Sequence, residues 1–312
     1  MHTLICGSLA YDTIMVFQDQ FKKHILPEQI HILNVAFLVP EMRREFGGCA
    51  GNIAYNLNLL GGHPLIMATV GDDFAPYAAH MDKLGLSRQH IHHVPDSFTG
   101  QAFITTDLDD NQITAFHPGA MNFSEKLHVH EAKEVTLGIV APDGRSGMLQ
   151  HAQEFHAAGI PFVFDPGQGM PMFNGEELLR LVGQADYITV NDYEAKLLQN
   201  KTGKTIAELA KSKRAFIITL GALGSIIFSG GKEISIPTPK PEALLDPTGC
   251  GDAYRAGLLH GIQLGWDWES TGRLASLLGA LKIASRGAQN HRPTRDELAS
   301  LFQKHFAYSI NL

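Results

Sequence analysis

Asp246-Pro247-Thr248-Gly249-Cys250-Gly251-Asp252 sets two glycines and two carboxylates directly ahead of an apolar run, residues 253–264, that reads as a helix. Gly249, Cys250 and Gly251 then fall at the helix start. There the backbone N–H groups lack intrahelical acceptors, and the positive end of the helix dipole attracts an anion. Asp252 in such a place repels the anion that the amides attract. It becomes useful when a proton must be taken from a hydroxyl attacking a bound phosphoryl group. The pairing predicts phosphoryl transfer to an alcohol.

Weaker constellations accompany it. Gly47-Gly48-Cys49-Ala50-Gly51-Asn52 opens another predicted helix, with glycines that admit a ligand close to the backbone and an amide that both donates and accepts. A tight turn explains Gly47 and Gly48 but not Asn52. Asn191 and Glu194, three apart at a predicted helix start, share one face. They suit Mg2+ held through water, and they suit a helix cap equally well. Thr219, Gly221 and Gly224 end the last predicted parallel strand, where they fit a nucleotide or a plain hairpin turn. Asp12 alone reads as a turn residue. No P-loop spacing ends in Gly-Lys-Ser/Thr, and no G-x-G-x-x-G follows the first strand, so Walker-type and dehydrogenase sites are excluded.

Short apolar strands alternating with helical patterns must carry these residues. Strands are expected at residues 3–6, 65–70, 137–140, 162–165, 187–190 and 216–220, and helices over 47–60, 74–84, 253–264 and 274–285. That alternation predicts an α/β fold with a mostly parallel central sheet covered on both faces. Ligands in such sheets bind beyond the carboxyl ends of the strands, where the polar residues above lie. Two β-rich stretches interrupt the pattern, residues 13–46 and 99–117. The second reads as strands 101–107 and 112–117 joined through Asp109-Asp110-Asn111. The expected organisation is a large domain from 1–12, 47–98 and 118–312, with 13–46 and 99–117 paired into one β lid.

A chain of 312 residues, 44% hydrophobic and 18% charged, is an ordinary globular composition. Its formal charge of −7 argues against nucleic acid as a partner. Cys6, Cys49 and Cys250 are widely separated, which predicts free thiols and a reducing compartment; His90, His92 and His93 read as solvated rather than metal-bound. No signal peptide fits the N-terminus, and no stretch reaches the roughly 18 apolar residues of a membrane span, so no membrane partner and a cytoplasmic location are expected.

Taken in order along nearly the whole chain, these motifs resemble the ribokinase-like, or PfkB, carbohydrate and nucleoside kinases. The resemblance rests on the Gly-Gly…Asn52 segment, the Asn191…Glu194 pair, the Thr219-x-Gly221 turn and above all the 246–252 segment. It implies Asp252 as catalytic base and Gly249, Cys250 and Gly251 as an anion hole for the transferred phosphoryl group. It further implies Mg2+ organised by Glu194 and Asn191 through water. ATP would be contacted by Asn191, Thr219, Gly221, Gly224, Gly287, Gln289 and Asn290, and a monovalent cation such as K+ held around Asp246 and Thr248. Asp12, Gly47, Gly48 and Asn52 would grip sugar hydroxyls. Pro247 and Cys250 depart from the commoner Thr and Ala, and Arg255 stands where relatives carry a small or neutral residue. Three roles are open to it: phosphate contact, steering of Asp252, or pairing with an acid at the lid.

The acceptor is read from the apolar residues of the lid. A free sugar wants a polar site, whereas a nucleoside needs an apolar slot for its base. Phe17, Phe21, Phe37, Phe46, Phe103 and Phe116, with Met121, supply either that slot or the lid's own small core. The sequence is most similar to prokaryotic adenosine-kinase-type nucleoside kinases of purine salvage. That implies 5′-phosphorylation of a ribonucleoside, adenosine first, then inosine, guanosine or cytidine. The alternatives are a kinase for ribose, fructose or a phosphorylated hexose, and a catalytically silent nucleotide-binding regulator. Exposed lid strands further imply a homodimer through the lid.

Overall fold

Along the first strand, β1 (His2–Cys6), Leu4 and Cys6 pack into one hydrophobic core and Ile5 into another. Successive side chains of a strand point to opposite faces, so a strand apolar throughout must be covered on both sides. The computed structural model describes residues 2–25, 34–109 and 111–312. Its further strands are β2 (Ala10–Val16), β3 (Glu41–Gly47), β4 (Pro64–Val70), β5 (Ser87–His93), β6 (Gly100–Thr106), β7 (Gln112–His117), β8 (Val135–Val140), β9 (Phe162–Phe164), β10 (Tyr187–Asn191), β11 (Ala215–Thr219), β12 (Ser225–Ser229) and β13 (Lys232–Ile236). The helices are α1 (Cys49–Leu59), α2 (Ala75–Leu84), α3 (Arg145–Ala158), α4 (Gly175–Gln184), α5 (Asp192–Thr202), α6 (Ile206–Ala210), α7 (Cys250–Leu264), α8 (Trp268–Ile283) and α9 (Arg295–Phe306).

Among the described residues the large sheet runs β13-β12-β11-β10-β9-β8-β1-β4-β5. Every pairing from β5 to β11 is parallel, and β12 and β13 add an antiparallel hairpin at one edge. One face carries a core built with α1, α2, α7, α8 and α9, the other a core built with α3, α4, α5 and α6. The α/β architecture matches the expectation. No helix is long and apolar enough to cross a membrane among the described residues.

A second sheet, in the order β3-β2-β6-β7, is assembled from the two β-rich stretches. Its strand β2 starts at Ala10, paired to Gly47 and Gly100, so the expected boundaries at 12/13 and 46/47 fall inside strands. The ladder begins where the chain leaves the large sheet, and backbone pairing carries it past any composition change. The hairpin of β6 and β7 forms as expected, while Asp110 of its turn and residues 26–33 of the first stretch lie outside the described residues. The strands β5, β12 and β13 and the helices α6 and α9 were not expected from the sequence.

Candidate active site

A cavity of about 790 Å3 opens where the carboxyl ends of β1, β8, β9 and β10 meet the small sheet. That volume is ordinary for a small-molecule site. The starts of α1 and α7 also border it, through Gly48, Cys49 and Asn52 from one and Gly249, Gly251 and Asp252 from the other.

Gly249 adopts φ 80°, the left-handed conformation glycine favours, and a Cβ there would stand 2.7 Å from that of Ala288. The turn so made releases α7 with the amides of Gly249, Gly251 and Asp252 donating to no acceptor among the described residues. Cys250 differs from expectation. Its amide donates to the Pro247 carbonyl at 3.1 Å, and the residue does not line the cavity. The amides left unpaired at this helix start are therefore those on either side of it.

Asp252 is oriented from behind. Asn52 Nδ2 donates to its Oδ2 at 2.8 Å, and Gln289 Nε2 donates to Asn52 Oδ1 at 3.0 Å and to the Tyr77 hydroxyl at 2.8 Å. Burial pushes the Asp252 carboxyl up to about 6, opposed by the Asn52 bond and the Arg255 charge. Asp12, across the cavity lining, is likewise pushed up to about 6 by burial, then by the charges of Asp252, Asp246 and Glu45. A carboxylate so tuned is suited to general-base work near neutral pH.

Of the roles open to Arg255, pairing with an acid is the one it makes, though the acid is not at the lid. It grips Asp165 with two donors, Nε to Oδ2 at 2.6 Å and Nη2 to Oδ1 at 2.8 Å, and its Nη1 donates to the Gly251 carbonyl at 3.2 Å. The acid lies at the end of β9, not in the small sheet. Both side chains are buried and both residues line the cavity, with Glu194 near enough for its charge to raise the Arg255 pKa.

Glu194 and Asn191 cap α5 reciprocally: Glu194 N–H donates to Asn191 Oδ1 at 2.7 Å, and Asn191 N–H to Glu194 Oε2 at 2.8 Å. The cap leaves Glu194 Oε1 free on a cavity-lining carboxylate. Among the described residues no cluster of three or more protein ligands could hold a metal. The donor set fits Mg2+, which is commonly held by one carboxylate with water and substrate phosphates.

On the acceptor side, Gly48 takes φ 84° with the Ala10 amide and Ser8 carbonyl 2.6 Å from where a Cβ would be. Only glycine fits. Gly47 lies just outside the lining, covered by Asp12. Of the six lid phenylalanines only Phe116 lines the cavity, beside Ala102, Ile104, Met121 and Met172. Phe17, Phe21 and Phe37 pack on one another with centroids 4.8–5.8 Å apart, and Phe46 stacks on His80 at 4.0 Å. Phe103 is exposed and outside the lining. Arg43 and Arg44 also stay outside it, engaged with Glu45 and with Asp73 and Tyr11.

Several sequence-predicted residues do not join the cavity. Thr219, Gly221 and Gly224 lie one strand further along the sheet, Thr219 being the register partner of Asn191. Gln289, expected at ATP, is instead buried behind Asn52, where its amide completes the hydrogen bonds of Asn52 and Tyr77, and it does not line the cavity. Asn290 donates to Glu45 on β3 at 2.9 Å, and Gly287 N–H to Asp246 Oδ2 at 2.9 Å; neither lines the cavity. Asp246 Oδ1 accepts from Thr248 N–H at 2.9 Å, so both carboxylate oxygens serve the loop itself.

Two further residues went unread in the sequence. Asp143 lines the cavity just past β8, and burial pushes its carboxyl up to about 8. Lys282 is fully buried beneath the loop before α7. A polar residue directly after an apolar strand was a signal for Asp143; a lysine in a helical run offered none.

The pfkB family carbohydrate kinase profile matches residues 11–295. A nucleoside kinase of Methanocaldococcus jannaschii is 30% identical over 87% of this chain and 90% of its own length. A Bacillus subtilis ribokinase is 27% identical over 82% and 87%. Among solved structures, Burkholderia thailandensis nucleoside kinase in complex with inosine superposes with a TM-score of 0.91 at 55% identity, covering 98% of this chain and 99% of that one.

Proposed function

Because the chain belongs to the pfkB family of carbohydrate kinases, phosphotransferases acting on a hydroxyl group, we propose that it transfers the γ-phosphoryl of ATP to the 5′-hydroxyl of a purine ribonucleoside, adenosine or inosine. The observation that carries the acceptor is the apolar wall of Ile104, Phe116, Met121 and Met172 in the same cavity as Asp252. A flat base buries area against such a wall, whereas a free sugar gains little from it. Among the described residues Arg255 is the sole basic residue of the lining and is bound to Asp165, which supports an uncharged acceptor over a phosphorylated hexose.

Asp12, Gly48 and Asn52 hold the ribose, and Asp252 takes the proton from the attacking hydroxyl. The amides of Gly249 and Gly251 receive charge developing on the transferred group, a transition state that needs positioning and neutralisation more than covalent help. Glu194 would hold the water shell of Mg2+, which would supply charge neutralisation at the phosphates. Thr219, Gly221 and Gly224, beside Asn191, remain the residues proposed for ATP. The exposed strand β7 is the edge at which two copies would pair.

Phe116→Ala separates the acceptors. It is expected to lower kcat/KM for adenosine and inosine by roughly 10–100-fold, about 1.4–2.7 kcal/mol, while any residual rate with ribose stays unchanged. An ADP-release assay across nucleosides, ribose and fructose reads this, and equal losses would favour the sugar reading.

The pH profile has a definite sign. Asp252 must be ionised to accept a proton, and its carboxyl is pushed up to about 6, so kcat/KM falls as pH drops through that value. Asp12 lies in its field, so the acid limb reports the two carboxylates together. Asn52→Ala removes a donor that favours the ionised form and should move the limb to higher pH. A limb that stays put in that variant would dissociate Asn52 from the base.

A further inference from the structure

We propose that the ε-ammonium of Lys282 is a built-in monovalent cation that positions the phosphate cradle, so that this kinase turns over without K+. Lys282 lies near the end of α8 and is 0% exposed. Its Nζ donates to the main-chain carbonyl of Asp246 at 2.7 Å and to that of Ser285 at 3.0 Å. One side chain thus joins the two loops that meet under the start of α7. The Asp246 carboxylate completes the joint, Oδ1 to Thr248 N–H and Oδ2 to Gly287 N–H. Gly249, whose amide faces the cavity, rests on Ala288 of the second loop with no space for a Cβ.

Main-chain carbonyls converging from two loops are the ligands a dehydrated monovalent cation takes. Here a cation covalently attached to α8 already holds two of them. A second positive charge in the same place would be repelled, and each Asp246 carboxylate oxygen already accepts a backbone N–H, one from each loop. Burying an ammonium is costly unless its donors are met. Burial lowers the Lys282 pKa, while the neighbouring Asp246 carboxylate opposes the shift. The donor set therefore does not fit K+, and the role that the resemblance gave to a bound ion falls to this lysine.

The inference rests on the phosphotransferase reading and not on which acceptor is used, so the assay takes whichever acceptor the wild-type chain phosphorylates. A wild-type chain that phosphorylates nothing would sink the function reading instead. Initial rates are measured with Mg2+ and tetramethylammonium as the only cations, then with K+ or NH4+ added. The wild-type rate is expected to stay unchanged. Lys282→Met should lose roughly 10²-fold in kcat with a smaller change in KM, as misplacement of a cradle predicts, and K+ or NH4+ should restore part of it. Lys282→Gln, uncharged but still a donor, serves if the Met variant does not fold by circular dichroism. Activation of the wild type by K+ overturns the proposal, and so does a folded variant with wild-type kcat. A loss that no monovalent cation restores also overturns it, leaving Lys282 a structural hydrogen-bond donor. If neither variant folds, the wild-type K+ titration decides alone.

Discussion

Asp252→Asn is expected to lower kcat by about 10²–10⁴-fold with little change in KM for the acceptor, the pattern of an interaction made only in the transition state. The substitution keeps the shape of the side chain. Its amide oxygen can still accept from Asn52 Nδ2, so the chain from Tyr77 through Gln289 and Asn52 need not rearrange. The lost property is the capacity to take a proton. The variant should also change the acid limb near pH 6, because the Asp252 share of it is gone and Asp12, freed of the Asp252 charge that raises it, titrates lower. Steady-state kinetics across pH reads both effects, and wild-type turnover in the variant would remove Asp252 from the role of base.

Arg255→Met should destabilise the fold by about 3–5 kcal/mol, the usual consequence of leaving one member of a buried, bidentate pair behind. Asp165 would then keep a carboxylate in a buried place with its two donors gone. Adding Asp165→Asn should recover part of the loss, since it removes the unpaired charge. A second readout separates structure from catalysis. The Arg255 charge favours ionised Asp252, so in whatever fraction folds, the acid limb should lie at higher pH than in the wild type. Denaturant unfolding monitored by tryptophan fluorescence gives the first result, and an unchanged midpoint would contradict the account of the pair.

The alternation of β1, β8, β9, β10 and β11 with helices was legible because each strand is a short apolar run, which a sheet covered on both faces requires. Strand β5, Ser-Arg-Gln-His-Ile-His-His, has no such run. It is an edge strand mostly in solvent, and its backbone pairing to β4 leaves no mark on composition. The β12–β13 hairpin did carry a signal, Gly230-Gly231 between an apolar run and an alternating segment, with both glycines at positive φ. Helix α9 did as well: Thr294 and Glu297 cap it reciprocally at the spacing of a capping box.

At the cavity, Asp252, Asn52, Gly48 and Glu194 stood out because each sits at or within the first turn of a helix, whereas Asp12, which alone reads as a turn residue, lies inside β2. The Arg255–Asp165 pair did not stand out, since its members are 90 residues apart and meet only through the order of the strands. Gln289 was misplaced for a related reason. Local sequence locates its loop but not the direction of its side chain, which turns inward to serve Asn52. The lid phenylalanines divide the same way: chain position groups all six, and packing alone separates Phe116 from the cluster of Phe17, Phe21 and Phe37.

The most direct test is to incubate the wild-type chain and its Asp252→Asn variant with ATP, Mg2+ and a mixture of adenosine, inosine, ribose and fructose, and to identify the products by 31P NMR. The account predicts nucleoside 5′-monophosphate from the wild type and almost none from the variant. Phosphate appearing on ribose or fructose ahead of either nucleoside, or at equal speed from both proteins, would contradict it.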